Sequence, residues 1–65
     1  MNGKCIGTKI IYYRMLKRMT QKDLAAKLNV NRQYLSRIEK GYISCDDTLL
    51  DKICAVLEIN RNDIL

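Results

Sequence analysis

The sequence predicts an all-α protein, a compact bundle of four to five helices, and two observations support this class. Apolar side chains recur three and four residues apart along most of the chain, which is the helical spacing, and no strand pattern or internal repeat is present. Residues that favour helix starts stand before most of the predicted helices. Sixty-five residues make one domain, residues 1–65. A chain of this length buries only about 60% of its unfolded surface, so we expect modest stability.

The first helix is predicted over about residues 8–17. Ile6, Ile10 and Tyr13 cluster on one side, which is expected to face the core. Ile11 and Met15 point nearly the opposite way, which makes the outer side more apolar than a plain solvent surface.

Residues 20–41 predict two short helices that meet at a sharp corner. Thr20 is a good N-cap for the first of them, and Asn29 tolerates the left-handed backbone of a corner. Asn31 caps the second helix, which runs to about residue 40, with Gly41 as its C-cap. This is helix-turn-helix spacing, a unit that presents its second helix to a partner.

The last third of the chain predicts a longer helix and a short one. Asp46 or Asp47 caps the fourth helix, which ends near Leu57, and Asn60 caps a final turn that reaches Leu65. The inward side chains of the fourth helix are Leu50, Ile53, Cys54 and Leu57.

The helix over residues 32–40 has one apolar side and one polar side. Leu35 and Ile38 lie on the apolar side, which belongs to the core. Arginine and glutamine can each form two hydrogen bonds with a base edge in the major groove of DNA, to guanine and adenine respectively. The polar side therefore provides candidates for reading bases, which are Arg32, Gln33, Ser36 and Arg37. Candidates for contacts with DNA phosphates surround them, namely Gln21, Lys22, Tyr34, Lys40, Tyr42 and Ser44.

Charge is distributed unevenly along the chain. Residues 1–40 hold ten basic and two acidic residues, a net charge of +8, whereas residues 41–65 hold two basic and five acidic ones, a net charge of −3. A basic half that contains the two-helix unit indicates a polyanionic partner.

The residue content disfavours several other classes of protein. Cys5, Cys45 and Cys54 are odd in number and lack CxxC spacing, and the chain has no histidine, so neither a zinc site nor a disulfide framework is predicted. We expect Cys54 to pack in the core and the other two to be free thiols. No Gly-rich phosphate loop or paired carboxylates indicate an enzyme or a cofactor. The absence of a long apolar run predicts a cytoplasmic protein without a membrane span.

Three segments of the sequence carry a family resemblance. They are TQKDLA, the ending LxRIEKG of the third helix, and LxxICAVLEI in the fourth. With them, residues 6–65 resemble the lambda-repressor/Cro type of DNA-binding domain, the XRE family. The resemblance implies a compact five-helix bundle that controls transcription as a two-fold dimer on palindromic double-stranded DNA.

The resemblance also implies residue roles. It assigns a phosphate contact to Gln21, base reading to the four candidates of the third helix, and a structural ion pair to Arg14 and Glu39. Arg18 and Asn29 depart from the family pattern because glycine is common at both positions. Both corners are therefore expected to be strained or to use a different turn.

The leading functional expectation is a homodimeric repressor that binds a specific operator. The length of the chain favours the small stand-alone regulators of phages, mobile elements or restriction–modification operons. Its dimer interface is expected on the fourth and fifth helices. One alternative is an antitoxin-like regulator that binds a protein toxin through Ile11, Met15, Ile64 and Leu65. Another is non-specific binding of nucleic acid, including RNA, although the four tyrosines form no stacking platform.

Overall fold

The protein folds into five helices in a computed structural model that describes the backbone of residues 3–65 and the side chains of residues 6–65. No strand occurs in this part of the chain. The predicted all-α fold class is therefore confirmed. The helices are α1 (Gly3–Leu16), α2 (Gln21–Leu28), α3 (Arg32–Glu39), α4 (Asp47–Leu57) and α5 (Arg61–Ile64).

The helix starts predicted at Thr20, Asn31 and Asp46 are confirmed by hydrogen bonds. The Thr20 hydroxyl accepts from the backbone amide of Asp23 at 3.0 Å, and the Asp23 carboxylate accepts from the Thr20 amide at 3.1 Å. These bonds lower the pKa of Asp23 because they favour its ionised form. Asn31 and Asp46 each accept a backbone amide at 2.7 Å. Side chains thus satisfy amides that a helix leaves unpaired at its start.

The predicted start of the first helix near Thr8 is wrong, since α1 begins at Gly3. Ile6 already packs against the core, and Gly7 is buried against α3. Tertiary packing therefore extends the helix beyond the point where local signals favour a start.

Four helices end with a left-handed residue. These residues are Arg18 (φ 57°), Asn29 (φ 59°), Gly41 (φ 82°) and Glu58 (φ 59°). In each case the next amide donates to a carbonyl five residues back, for example Met19 to Arg14 at 3.1 Å and Tyr42 to Arg37 at 2.9 Å. Helix α3 accordingly ends at Glu39, and Gly41 lies one position beyond the cap, Lys40.

The corner at Arg18 uses the same left-handed turn as the corners that have Asn or Gly. A left-handed backbone costs roughly 1–2 kcal/mol for a residue that has a Cβ, and Asn is among the few that visit it routinely. Strain is therefore concentrated at Arg18 and Glu58.

Replacing Arg18 with glycine is expected to raise the free energy of unfolding by about 0.5–1 kcal/mol. Glycine removes the Cβ strain, although its greater freedom in the unfolded chain offsets part of the gain. Urea denaturation would measure the change. Arg18→Ala is the matched control, because alanine loses the same long side chain and keeps the Cβ. If both variants shifted the midpoint equally, the turn would not be the cause.

All five helices contribute to one core. Ile10, Leu24, Leu35, Ile53 and Ile64 are fully buried, and Cys54 packs beside them as expected. Ile64 cannot belong to the partner surface that the sequence suggested, because α5 turns it inward. Helix α1 packs on α3 and α5, and α2 packs on α3 and α4.

No helix within residues 3–65 is both long enough and apolar enough to cross a lipid bilayer.

Candidate nucleic-acid interface

A buried carboxylate connects three helix ends. The side chain of Glu39 is 1% exposed, and its Oε2 accepts from Arg14 Nε at 2.9 Å. Gln21 Nε2 donates to Glu39 Oε1 at 2.7 Å, and Arg14 Nη1 donates to the backbone oxygen of Met19 at 2.8 Å. The structure thus brings Arg14 and Glu39 together, with Gln21 as a third member. These bonds fix the end of α3 relative to the start of α2.

Gln21 is the first residue of α2, and its side-chain amide uses only one of its hydrogen-bonding groups on Glu39. A side-chain amide has two N–H hydrogens and one carbonyl oxygen, so Gln21 keeps a second donor after it bonds to Glu39. Its phosphate contact stays a prediction. The bond to Glu39 restricts where that second donor points.

A narrow groove of about 290 Å³ runs along the outer side of α3. The structure brings all four predicted base-reading residues together in it, along with two of the phosphate candidates. Its lining consists of Arg32, Gln33, Ser36, Arg37, Lys40 and Tyr42. The opposite side of α3 is buried through Leu35, Ile38 and Glu39. Since the core holds the inner side, the outer side is presented on a fixed helix.

A wider groove of about 710 Å³ lies at the start of α2. Gln21 and Lys22 line it, and Arg32 lines both grooves, so the two form one continuous surface. Tyr34 and Ser44 line neither groove: Tyr34 packs half-buried against the core, and Ser44 is exposed on the loop before α4.

Arg18 also lines the wider groove, and the sequence-based site missed it. Helical spacing could not indicate it, because a turn separates α1 from α2 and Arg14, Arg18 and Lys22 do not share a helix. In the sequence, Arg18 stands out only as a departure from glycine at a turn. Its left-handed backbone places an arginine beside the N-terminus of α2.

Five of the six cations that line these grooves have no acidic partner within residues 6–65, namely Arg18, Lys22, Arg32, Arg37 and Lys40. The sixth, Arg14, is paired with the buried Glu39. Away from the grooves, Glu58 contacts Lys17 at 2.8 Å, and Asp47 contacts Arg61 at 3.0 Å. These five cations are therefore available to a polyanion, which binds by displacing counterions from such side chains.

The described thiols are protonated at neutral pH. Burial raises the pKa of Cys45 to about 11, and burial also raises the pKa of Cys54. A protonated thiol is a poor nucleophile and a poor metal ligand. Residues 6–65 contain no cluster of side chains suited to a metal ion. The Cys5 side chain lies outside the described side chains.

Comparison with known proteins agrees with this geometry. A helix-turn-helix family model matches residues 10–64. The uncharacterized HTH-type transcriptional regulator MJ0272 from Methanocaldococcus jannaschii is 43% identical over 56 residues, which are 86% of this chain and 85% of that protein.

Two solved structures share the fold. The clp gene regulator ClgR from Corynebacterium glutamicum superposes with a TM-score of 0.92 at 26% identity, over 98% of this chain and 83% of that chain. The restriction-modification controller protein C.AhdI from Aeromonas hydrophila superposes with a TM-score of 0.91 at 21% identity, over 97% of this chain and 96% of that chain. The chain therefore belongs to the helix-turn-helix family of the lambda-repressor/Cro (XRE) type, whose fold is that of DNA-binding transcriptional regulators.

Proposed function

We propose that the chain represses transcription by binding a specific palindromic operator as a homodimer, with α3 in the major groove. The observation that carries the proposal is the groove along α3, which gathers donors suited to base edges on a helix whose other side is buried. A regulator bound over a promoter represses by occupying the DNA that the polymerase needs.

Base reading is assigned to the outer side of α3. Arg32 and Gln33 stand at the N-terminal end of the helix, which enters the groove most deeply in this class of fold. Arginine donates to guanine O6 and N7, and glutamine bonds to adenine N6 and N7. Ser36 and Arg37 follow one turn later and extend the polar side along the helix.

Phosphate contacts are assigned to the rims of the two grooves. Gln21 and Lys22 stand at the N-terminus of α2, where the helix dipole and free amides favour an anion. Lys40 and Tyr42 line the narrow groove just after the C-terminal end of α3. Phosphate contacts from two neighbouring elements would fix the register of the reading helix on the duplex.

Two copies are needed because one reading helix covers little sequence. Eight residues at 1.5 Å each give α3 a length of about 12 Å, which spans only a few base pairs. A dimer that places two such helices about 34–36 Å apart reads two half-sites one DNA turn apart.

Selection of bound duplexes from a random pool tests the proposal. We expect enrichment of a palindrome whose half-site centres lie about 10 base pairs apart. Failure to enrich any sequence at low ionic strength would contradict sequence-specific binding. Enrichment of a single unrepeated half-site would contradict the dimer while keeping the reading helix.

Arg32→Ala and Lys22→Ala are expected to weaken binding in different ways. Loss of Arg32 should relax preference at particular bases and cost about 1–3 kcal/mol on the selected operator. Loss of Lys22 should weaken all sequences alike and reduce the salt slope by about 1. Titrations of the operator and a scrambled duplex at several salt concentrations would separate the two. Lys52→Ala is the control, because Lys52 is exposed on α4, away from both grooves. Identical behaviour of the two test variants would contradict this division of roles.

An antitoxin-like role is the second candidate, and the exposure of Met15 favours it. Such a regulator would bind a protein toxin through its apolar surface. Co-purification of the product of an adjacent gene, lost in an Ile11→Lys variant that still binds DNA, would support this role, because Ile11 lines neither groove. The expected kinship with stand-alone regulators of phages and mobile elements stays a prediction, which the genomic neighbourhood of the coding sequence tests.

A further inference from the structure

Arg18, in the turn between α1 and α2, is an exposed arginine whose side chain has no partner in the described chain. Within residues 6–65 it forms neither an ion pair nor a hydrogen bond. By contrast, Arg14 is paired with Glu39 at 2.9 Å. A guanidinium carries five N–H donors, and that of Arg18 uses none of them within this part of the chain.

The backbone conformation of Arg18 is unfavourable for an arginine. Its φ of 57° is left-handed, and glycine adopts that conformation without the strain that a Cβ causes. The turn is closed by backbone atoms alone, since the Met19 amide donates to the Arg14 carbonyl at 3.1 Å. The turn therefore does not require the arginine side chain. Strain at such a position favours a function for that side chain.

The wider groove places Arg18 among other cations. Lys22 and Arg32 line the same groove, and neither has an acidic partner within residues 6–65. Gln21, which contacts a phosphate under the proposed function, lines it too. Along one DNA strand a phosphate occurs about every 3.4 Å of helix axis, so a groove with several cations can contact successive phosphates.

Continuity with the narrow groove along α3 indicates which anion the wider groove takes. Arg32 lines both grooves, and a major groove about 12 Å wide has a phosphate backbone on each side. A duplex whose bases meet α3 therefore brings a backbone to the surfaces beside this helix. Met15 and Met19 add an apolar part to the lining, which suits the sugar carbons between phosphates. A separate anion would compete with the duplex for Arg32.

We propose that Arg18 contacts an operator phosphate next to the one that Gln21 contacts, so that the DNA interface extends from α2 onto the turn after α1. This inference rests on the proposed function, because it presupposes operator binding. The planar guanidinium can donate two parallel hydrogen bonds to one phosphate, which adds direction to the attraction between charges. Arginine at this turn thus raises DNA affinity and lowers stability, so Arg18→Gly should be the more stable protein and the weaker binder.

Titrations of duplex DNA with variants of Arg18 test the contact. Arg18→Ala and Arg18→Gly should each raise the Kd by about tenfold, for the selected operator and a scrambled duplex alike, because a phosphate contact carries no sequence information. The salt slope should fall by about 1 in both variants. Arg18→Lys should keep the slope, because it keeps the charge. Lys27→Ala is the control and should change neither quantity, since Lys27 is exposed on α2 and lines neither groove.

Methylphosphonate substitution locates the contacted phosphate, because it replaces one charged oxygen with a methyl group. Operators neutralised at one phosphate at a time should include a position that weakens binding of the wild-type chain and leaves the affinity of Arg18→Ala unchanged. For Lys22→Ala, the insensitive position should be a different one.

The outcomes separate this contact from the proposed function. If Arg18→Ala bound the operator with the Kd and salt slope of the wild type, the contact would be wrong and operator binding would stand. Equal losses in Arg18→Ala and Lys27→Ala would show only the effect of total charge and would also overturn it. A wild-type chain that bound no duplex at low ionic strength would overturn the proposed function and the contact together.

Discussion

Replacing Glu39 with alanine is expected to lower the free energy of unfolding by about 3–5 kcal/mol. This is the largest loss of stability that we expect from a single substitution near the candidate nucleic-acid interface. The substitution leaves the guanidinium of Arg14, whose side chain is only 12% exposed, without its carboxylate, and it removes the acceptor of Gln21 Nε2. An unpaired buried charge is more costly than the pair was favourable. Marginal stability means that such a loss can unfold most of the population at 37 °C. Urea denaturation followed by circular dichroism would measure it.

The double variant Arg14→Met with Glu39→Leu is the control for the ion pair. Apolar residues of similar volume can replace a buried pair with little loss, so this variant should recover most of the stability. Gln21 would still lack its acceptor, and we therefore expect the double variant to fold but to bind the operator more weakly than the wild type. A Glu39→Ala loss below about 1 kcal/mol would indicate that the pair is effectively solvated, contrary to its burial.

Replacing Gly7 with alanine is expected to destabilise the protein by about 3 kcal/mol. A Cβ at this position would lie 2.3 Å from the backbone oxygen of Glu39 and 2.6 Å from that of Ile38. These atoms belong to the backbone of α3, so no side chain can move aside. Helices α1 and α3 would have to separate. Thermal unfolding would show the loss as a lower Tm.

Whether Gly7→Ala raises or lowers the Tm distinguishes helix propensity from a clash between α1 and α3. Within a free helix, alanine is more favourable than glycine by about 1 kcal/mol, so helix propensity alone predicts stabilisation. Lys52→Ala, on the exposed side of α4, is the control for a neutral surface change. A raised Tm for Gly7→Ala would show that α1 does not approach α3 as closely as the geometry indicates.

Local signals in the sequence were enough to predict most of the fold. The caps at Thr20, Asn31 and Asp46 involve groups three residues apart, and a pattern can capture contacts of such short range. The outer side of α3 was predictable for the same reason, because a helix repeats every 3.6 residues and Leu35 and Ile38 fix which side is inward.

Contacts between distant residues account for what the sequence did not predict. The start of α1 depends on packing against α3, more than thirty residues away, and Gly7 therefore resembled a poor helix residue rather than a point of contact. Helical spacing gave no indication that Gln21 bonds to Glu39, eighteen residues along the chain. Glu58 was not recognised as a left-handed residue, because glutamate has no preference for that backbone.

Stability and the proposed DNA recognition depend on different side chains of the short helix α3. Glu39 is buried, whereas the candidate base-reading residues point outward. Residues that face inward hold the helix in place, while Arg32, Gln33, Ser36 and Arg37 contribute little to holding it there. Under the proposed function, a lineage can exchange the outward set and acquire a new DNA site at little cost in stability. The same proposal makes the scaffold suitable for laboratory retargeting, with randomisation confined to four positions.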